Sequence, residues 1–431
     1  MLLKIRLRTR PVMSRKPKLP DQATSSQPRQ EPEVPKTQRI RLVRKVNHLF
    51  QSLASENMDR SRNRKLLYSH YAALVVLSFF NPAMQTLRGL QQASQCQNVQ
   101  KRLRVPGTSL GSISESSHLF DPELLEPMVH RLLAEFHPQQ SGPGPDRHIP
   151  ETIPHELACK LVAVDGTVLK ALPWIAGQSR HWKLHLHFRV LPGLPASAIL
   201  TREGEAGHDE RDVLAVSVEK GRVYICDRGY ERYALNNRIV AAGSDYVLRG
   251  KNRPFEVVEE RPVSAAAWNA RVVSDEVVRL GPGSNTTRAE RIDHPVRRIV
   301  LAKKAQHRPR ADRAPSEEVI LLTSLMDVPA EAVAAIYELR WTIELFFRFL
   351  KQMLGCREMR SEHPDAVMIH MYCALIACLL LAQATGGKVS RDVFRMICFY
   401  VQGWANEEEL EACLAKARQA NAAKQQPCRT G

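Results

Sequence analysis

Two short apolar runs, each closed by an aspartate, constrain this chain more than any other feature. Leu161-Val-Ala-Val164 ends at Asp165-Gly166, and Val223-Tyr-Ile-Cys226 ends at Asp227. Four consecutive apolar residues bounded by a turn signal read as a strand buried on both faces, the kind found in the parallel sheets of α/β folds. A carboxylate at the tip of such a strand sits on a rigid element, at the sheet edge where α/β folds bind ligands. Taken singly, either aspartate reads more simply as a turn residue, since Asp-Gly is a common turn dipeptide. If the two strands are neighbours, the same two residues are placed to share a metal ion.

The surrounding texture supports a mixed α/β chain. Trp182 to Val190 alternates, with Leu184, Leu186, Phe188 and Val190 against Lys183, His185, His187 and Arg189, as a half-buried strand does. That alternation puts His181, His185 and His187 on one face, predicting solvent exposure or contact with a ligand surface and arguing against metal ligation. Ser197–Thr201 is the returning arm of a hairpin, Tyr230 to Ala242 reads as helix, and Asp245–Arg249 as a further strand. Residues 251–316 carry short β pieces (Phe255–Val258, Ala270–Val273, Val296–Ala302) among Pro, Gly and Arg, a mostly β insertion. Val319–Leu325 resumes the buried-strand pattern and leads through Pro329 into a long helix expected over Ala330 to Leu354.

Ahead of this part, residues 46–136 are helical in pattern. Asn81-Pro82 interrupts one apolar segment, and Asp121-Pro122 supplies an N-cap with proline at the first helical position. Residues 137–154, including Ser141-Gly-Pro-Gly-Pro145, form a linker. The tail at 401–431 carries no motif.

The chain has 431 residues and a formal charge of +17 with a pI near 9.7, which points to a polyanionic partner: nucleic acid or an anionic membrane. Residues 1–45 hold 13 Lys/Arg against Asp21, Glu31 and Glu33, a net +10 in a Pro- and Gln-rich stretch that reads as a disordered basic arm. A 44% hydrophobic content excludes a wholly disordered chain. The nine cysteines include no C-x-x-C and no zinc-ligand spacing. Met1 to Arg10 lacks an apolar core of signal-peptide length, and Tyr71–Phe80 and Met368–Ala382 fall short of the ~20 residues of a membrane span. The expectation is a reduced, cytoplasmic protein with no membrane partner.

The helix at 330–354 decides between the partners. At 100° per residue, Tyr337, Arg340, Glu344 and Lys351 fall within roughly 60° of arc. Ile336, Leu339, Ile343, Phe346, Phe347, Leu350 and Leu354 lie directly beside them, so the polar stripe borders the core. Leu345 and Phe349 on the opposite side predict packing there as well. The spacing Tyr337-x2-Arg340-x3-Glu344-x6-Lys351, in YELRWTIELFFRFLK, matches the YREK signature of DDE transposases in the IS-four group of bacterial insertion sequences. VDGT at 164–167 and CDRGY at 226–230 resemble that family's first and second Asp motifs, in the same order and with a β insertion before the glutamate.

The resemblance implies an RNase H-like α/β catalytic domain, split into 155–250 and 317–400 by the β insertion 251–316 and preceded by a helical DNA-binding domain at 46–136. It implies that Asp165, Asp227 and Glu344 are the catalytic triad and hold two Mg2+ or Mn2+ ions, a role that suits hard oxygen donors. Tyr337, Arg340 and Lys351 would grip the DNA backbone near the cleaved bond. On residue chemistry alone Arg340 and Lys351 are equally able to pair with Glu344. Arg228, beside Asp227, is a phosphate contact or a buttress. Trp268, the single tryptophan of the insertion, is a packed β residue by texture and a holder of a flipped base by resemblance. The implied partners are double-stranded DNA, both transposon ends and target, and a second copy of the chain in a synaptic homodimer. A non-catalytic DNA-binding descendant and an RNase H-like structure-specific nuclease are the rival readings.

Overall fold

The computed structural model describes residues 48–51, 64–135, 149–171, 181–191, 193–202, 208–281, 291–302, 318–352, 354–355, 358–359, 361, 363–387 and 389–425. The basic arm at 1–45 and residues 137–148 of the linker lie outside these residues.

Helices α1 (Tyr68–Ser78), α2 (Leu87–Gln95), α3 (Gln97–Leu103), α4 (Leu110–Leu119) and α5 (Glu126–Glu135) come first. Their starts follow the local chemistry: the Thr86 hydroxyl accepts from the Gly89 N–H at 3.0 Å, and the Ser109 hydroxyl accepts from Ser112 at 3.1 Å. Asp121 caps a one-turn 3-10 segment, Pro122–Leu125, and the α-helix proper begins after it. After α6 (His155–Ala158) the chain enters the sheet as β1 (Leu161–Ala171), β2 (His181–Arg189) and β3 (Leu194–Arg202). Then follow α7 (Glu210–Val216), β4 (Val223–Cys226), α8 (Tyr233–Ala241) and β5 (Asp245–Arg249). The insertion contributes β6 (Phe255–Glu260), α9 (Ala265–Asn269), β7 (Val272–Leu280) and β8 (Val296–Leu301), and the chain returns through β9 (Val319–Thr323) to α10 (Ala330–Glu338) and α11 (Trp341–Gln352). The short β10 (Glu358–Met359) precedes α12 (Pro364–Thr385), α13 (Arg391–Val401) and α14 (Glu407–Gln425).

The result is a mixed α/β structure around one large mixed sheet, ordered β3-β2-β1-β4-β5-β9-β8-β7-β6, with β10 also paired to β1. Strands β1, β4 and β5 are parallel, and β2, β3 and β9 are antiparallel to their neighbours. The insertion strands continue this sheet, because β8 pairs along β9 from Leu301↔Val319 to Arg297↔Thr323.

Both faces are covered. Leu161, Ala163, Leu184, Leu186, Ile225 and Val247 share a core with Ile336, Ile343 and Leu350 of α10–α11 and with the N-terminal helices. Val162, Val164, Tyr224, Cys226 and Leu248 pack on the other side against Leu214 of α7 and Leu235 and Ile239 of α8. Helix α12 has 22 residues, longer than its sequence pattern suggested and long and apolar enough to cross a membrane, yet it is almost wholly buried. It packs among α1, α4, α5 and α14 and against β3, which makes it the central helix of the core.

Four expectations are corrected. The first apolar run was expected to end at Asp165-Gly166, but β1 continues through both residues to Ala171, with Asp165 paired to Leu186 and Gly166 to His185 of β2, so this Asp-Gly is not a turn and Asp165 is not at a strand tip. The single helix expected over 330–354 is two helices. Arg340 N–H donates to Tyr337 O at 3.1 Å and Thr342 N–H to Leu339 O at 3.0 Å, tight three-residue closures that break the α ladder between α10 and α11. His185 and His187 are 4% and 5% exposed, not solvent-facing, because the α7–α8 layer covers their side of β2. His185 Nε2 lies 2.7 Å from the Thr201 hydroxyl and His187 Nε2 3.2 Å from that of Ser217. Leu345 is exposed at 37%, while Phe346 and Phe349 pack on Phe188 and Phe394.

Candidate active site

Strand pairing places the two aspartates. In the parallel β1·β4 pair, Leu161 faces Val223 and Ala163 faces Ile225. Asp165 lies two residues further along β1 and Asp227 directly follows the last residue of β4, so this register brings the two to matching positions on neighbouring strands. The period of two also gives them the face of Ala163 and Ile225, the one packed against α10 and α11.

Arg340 arrives on that face from the junction between the two helices. Its Nη1 lies 3.7 Å from Asp165 Oδ2, and its Nη2 donates to Glu344 Oε1 at 2.5 Å. One guanidinium thus bridges the first aspartate and the glutamate. Burial pushes the Asp165 carboxyl up to about 6. The Gly166 N–H, donated to Oδ1 at 2.8 Å, and Arg340 pull the other way, whereas Glu210 and Asp227 add to the rise. Burial disfavours the charge on Arg340, but the Glu344 hydrogen bond and the fields of Tyr337, Asp227 and Glu344 outweigh it and hold the guanidinium above its ordinary range. The Tyr337 phenol is raised mainly by burial, with Asp227 adding to it and Arg340 and Arg249 opposing.

Asp165, Asp227, Glu344, Arg340 and Tyr337 therefore belong to one electrostatic neighbourhood. Arg228 follows Asp227 in a one-turn 3-10 helix and is half-buried, and Lys351 is half-buried two turns beyond Glu344 on α11. Trp268 is not a packed β residue. It lies on the short helix α9 and is 66% exposed.

A fourth carboxylate had no signal in the sequence. Glu210, the first residue of α7, forms an ion pair with Lys183 of β2 and lies over both motif glycines. A Cβ at Gly166 would lie 2.7 Å from Glu210 Oε1 and 2.9 Å from Lys183 Cε, and one at Gly229 would lie 3.6 Å from Glu210 Oε2. A side chain at the glycine of the first Asp motif would thus press on the ends of the Glu210–Lys183 pair. Within DERDVLAV the glutamate reads only as a favourable acid in a first helical turn, so only the tertiary structure brings it to the site.

The donor set can be tested against the divalent ions expected of it. Asp165 and Asp227 offer adjacent hard oxygens without competing sulfur or imidazole, which fits Mg2+ or Mn2+. The cost that burial imposes on the Asp165 charge is one a cation would offset. Among the described residues no three His, Cys, Asp or Glu side chains are gathered closely enough to enclose an ion. The chemistry of the two aspartates fits such an ion, and Glu344 is held by Arg340.

A family profile described as "Transposase DDE domain" matches residues 160–380, about half of the chain. A putative transposase, y4zB, of Sinorhizobium fredii is 29% identical over 223 residues, covering 51% of this chain and 59% of its own length. A probable transposase for insertion sequence element IS5377 of Geobacillus stearothermophilus is 26% identical, covering 51% and 55%, and the transposase for element IS421 of Escherichia coli is 27% identical, covering 52% and 65%. The chain therefore spans less than two thirds of the length of these relatives. A piggyBac transposase synaptic complex with hairpin DNA aligns at a TM-score of 0.41 with 10% identity, over 90% of this chain and 83% of that one, a likeness too low to argue from. The match over 160–380, which takes in both aspartate strands, the insertion and the glutamate helix, shows that the chain belongs to the transposase DDE domain family.

Proposed function

We propose that this chain is the transposase of a bacterial insertion sequence of the IS-four group, acting in the cytoplasm on the nucleoid. It would bind the terminal inverted repeats, hydrolyse the phosphodiester at the element's ends and join the 3′ ends to target DNA. The single observation that supports this reading is the parallel β1·β4 pair, which carries Asp165 and Asp227 on neighbouring strands, with Arg340 in contact with both Asp165 and Glu344. The strand order β3-β2-β1-β4-β5 supports an RNase H-like core, with the insertion strands extending its far edge.

Asp165, Asp227 and Glu344 would hold two Mg2+ or Mn2+ ions, which when bound supply activation of the attacking oxygen and stabilisation of the leaving one. The remaining work falls to the chain itself. Arg340 offers a planar fork of donors to the phosphate oxygens, and its present partners are carboxylates that an incoming phosphate can replace. Tyr337 presents a hydroxyl next to Asp227, suited to orienting a backbone oxygen. Lys351 adds a point charge further along the strand of DNA. Asp165 lies within β1 and Asp227 directly follows β4, so the cleaved bond would be met by rigid elements. No covalent enzyme–DNA intermediate is required, since water and DNA hydroxyls are the nucleophiles.

The helical segment at 46–136 is proposed to recognise the transposon ends. Lys65, Lys101, Arg102 and Arg104 supply phosphate contacts there. Arg228 is placed for a phosphate beside Asp227, and the exposed Trp268 ring is available to a flipped base. Two copies would pair two ends in a synaptic dimer. The test is cleavage and strand transfer on DNA carrying the element's own ends in Mg2+, compared with Asp227→Ala and Glu344→Ala. Loss of both activities in each variant is expected. Wild-type cleavage in either would refute the reading, and cleavage without joining would favour a structure-specific nuclease.

A further inference from the structure

The insertion holds the helix that carries Tyr337 at both of its ends, by contacts that the proposed catalytic machinery does not use. At the N-terminal end, Arg297 of β8 is clamped on Asp275 of β7, with Nε 2.7 Å from Oδ1 and Nη2 2.6 Å from Oδ2, both side chains 4% exposed. Its remaining nitrogen, Nη1, donates to the carbonyls of Leu325 at 3.2 Å and Met326 at 3.4 Å, and to that of Val328. Arg261 adds a 2.6 Å bond from Nη1 to Met326 O. These carbonyls belong to the turn between β9 and α10, which ends at Pro329, the N-cap of α10.

At the C-terminal end, Arg271 donates from Nη2 to Glu338 Oε1 at 2.7 Å and from Nη1 to the carbonyl of Ala302 at 2.8 Å. Glu338 is the last residue of α10, between Tyr337 and the junction that presents Arg340. Arg271 has φ +69°, a left-handed conformation that a side-chain-bearing residue adopts at a cost. The backbone there is fixed on both sides, by its N–H to Trp268 O at 2.9 Å and by the Ala302 N–H to Arg271 O at 2.8 Å. The strained turn therefore aims a guanidinium from the rim of the insertion at the break between α10 and α11. Trp268, the insertion's exposed aromatic ring, lies on the helix that ends at that same turn.

We infer that Arg271 is a positioning residue, and that the Arg271–Glu338 contact is how the insertion sets the placement of Tyr337 and Arg340 over the aspartates. Arg297 and Arg261 fix where α10 begins, and Arg271 fixes where it stops, so the short closures at Leu339–Arg340 form at a defined height above β1. Misplacement of a phosphate-gripping arginine by a fraction of an ångström acts on the rate of the bond-breaking step more than on DNA affinity, because most backbone contacts lie elsewhere. This inference rests on the proposed function for its kinetic readout, but it has a structural readout that does not.

The experiment is a double-mutant cycle on Arg271→Ala and Glu338→Ala in the full chain, with Glu338→Gln as the conservative variant that keeps an acceptor for Arg271. Single-turnover cleavage of pre-bound end DNA in Mg2+ is expected to slow on the order of tenfold in each single alanine variant. The double variant is expected to be no slower than either single, and DNA affinity to stay within about twofold of wild type throughout. Glu338→Gln is expected to recover most of the rate. Without DNA, amide hydrogen exchange over residues 337–344 is expected to quicken roughly threefold in Arg271→Ala, with β4 and β5 unchanged. Unchanged rates and unchanged exchange, or losses that multiply in the double variant, would overturn the inference. If wild type itself fails to cleave, the transposase reading fails, and the exchange cycle still decides whether Arg271 positions the helix.

Discussion

Replacing Gly166 by alanine isolates the contact that the first aspartate motif makes with the rest of the site. Gly166 is not among the glycines of positive φ, so its backbone is open to alanine, and the loss of unfolded-state freedom alone would stabilise by about 0.4–1 kcal/mol. The added Cβ, however, would lie 2.7 Å from Glu210 Oε1 and 2.9 Å from Lys183 Cε, closer than real Cβ atoms approach. Both atoms are side-chain ends, but they are joined in an ion pair only 22% and 29% exposed and cannot swing away independently. Relief therefore comes from parting the pair, at about 1 kcal/mol or less, or from moving β1, an overpacking that costs about 1–3 kcal/mol. Parting the pair, the cheaper route, nearly cancels the entropic gain, so the net expectation is a stability change of less than about 1 kcal/mol, with clear destabilisation only to the extent that β1 has to move. If β1 moves, Asp165 moves with it, because its Oδ1 accepts from the Gly166 N–H. Urea denaturation gives the first quantity, and single-turnover cleavage of end DNA gives the second. Glu210→Ala removes the obstruction, so Gly166→Ala introduced in that background should cost nothing or stabilise slightly. An alanine at 166 that is equally harmful with and without Glu210 would refute the packing argument.

Two further perturbations read the electrostatics. Arg340→Ala leaves Asp165 and Glu344 without the guanidinium that bridges them, and cleavage measured in Mg2+ should fall on the order of a hundredfold. Arg340→Lys should recover only part of this, because an ammonium lacks the two-sided fork, and full recovery with lysine would argue that only the charge matters. His187, buried against Tyr224 and Ser217, is held down to about 4, chiefly by burial, with Glu219 opposing. Between about pH 4 and 6.5 the unfolded chain binds the proton and the folded chain does not, so stability falls as pH is lowered through that window and is unaffected above it. The limit for this ring is about 3 kcal/mol. Urea midpoints at pH 7 and pH 5 should differ more for wild type than for His187→Gln, and equal pH slopes would show that the ring is not buried as a neutral group.

The legible parts of the fold were those fixed by local pattern. The four apolar residues before Asp227, the alternation through Trp182–Val190 and the limits of Asp245–Arg249 each match a strand, because a period of two and a bounded apolar run leave few other conformations, whereas the run before Asp165 starts a strand that continues to Ala171. Alternation says which residues share a face but not whether another layer covers it. His185 and His187 share a face as expected, yet α7 and α8 bury that face, so the polar side of β2 is interior. The break at Leu339–Arg340 was not legible because Tyr-Glu-Leu-Arg-Trp-Thr contains neither Gly nor Pro and continues the helical pattern. What distinguishes it is a set of three-residue hydrogen bonds beside a contact from Arg271, 67 residues away in sequence. The insertion, read as a set of β pieces, turned out to extend the main sheet, since pairing between β8 and β9 depends on partners separated by a long stretch of chain.

The sequence by itself determined the chemical parts: three acids, the Tyr-Arg-Glu-Lys helix pattern, the α/β class and a basic balance of +17 that calls for a polyanion. These are properties of residue type and short-range spacing, which a linear chain displays openly. Only the tertiary structure decided that the strands leading to Asp165 and Asp227 are parallel neighbours, that Arg340 bridges Asp165 and Glu344, and that Glu210 backs the glycine beside the first aspartate. Each of these is a distance between residues far apart along the chain, set by strand register and by how helices pack on the sheet. Those quantities arise from the burial of both sheet faces at once, and no local window of sequence contains them.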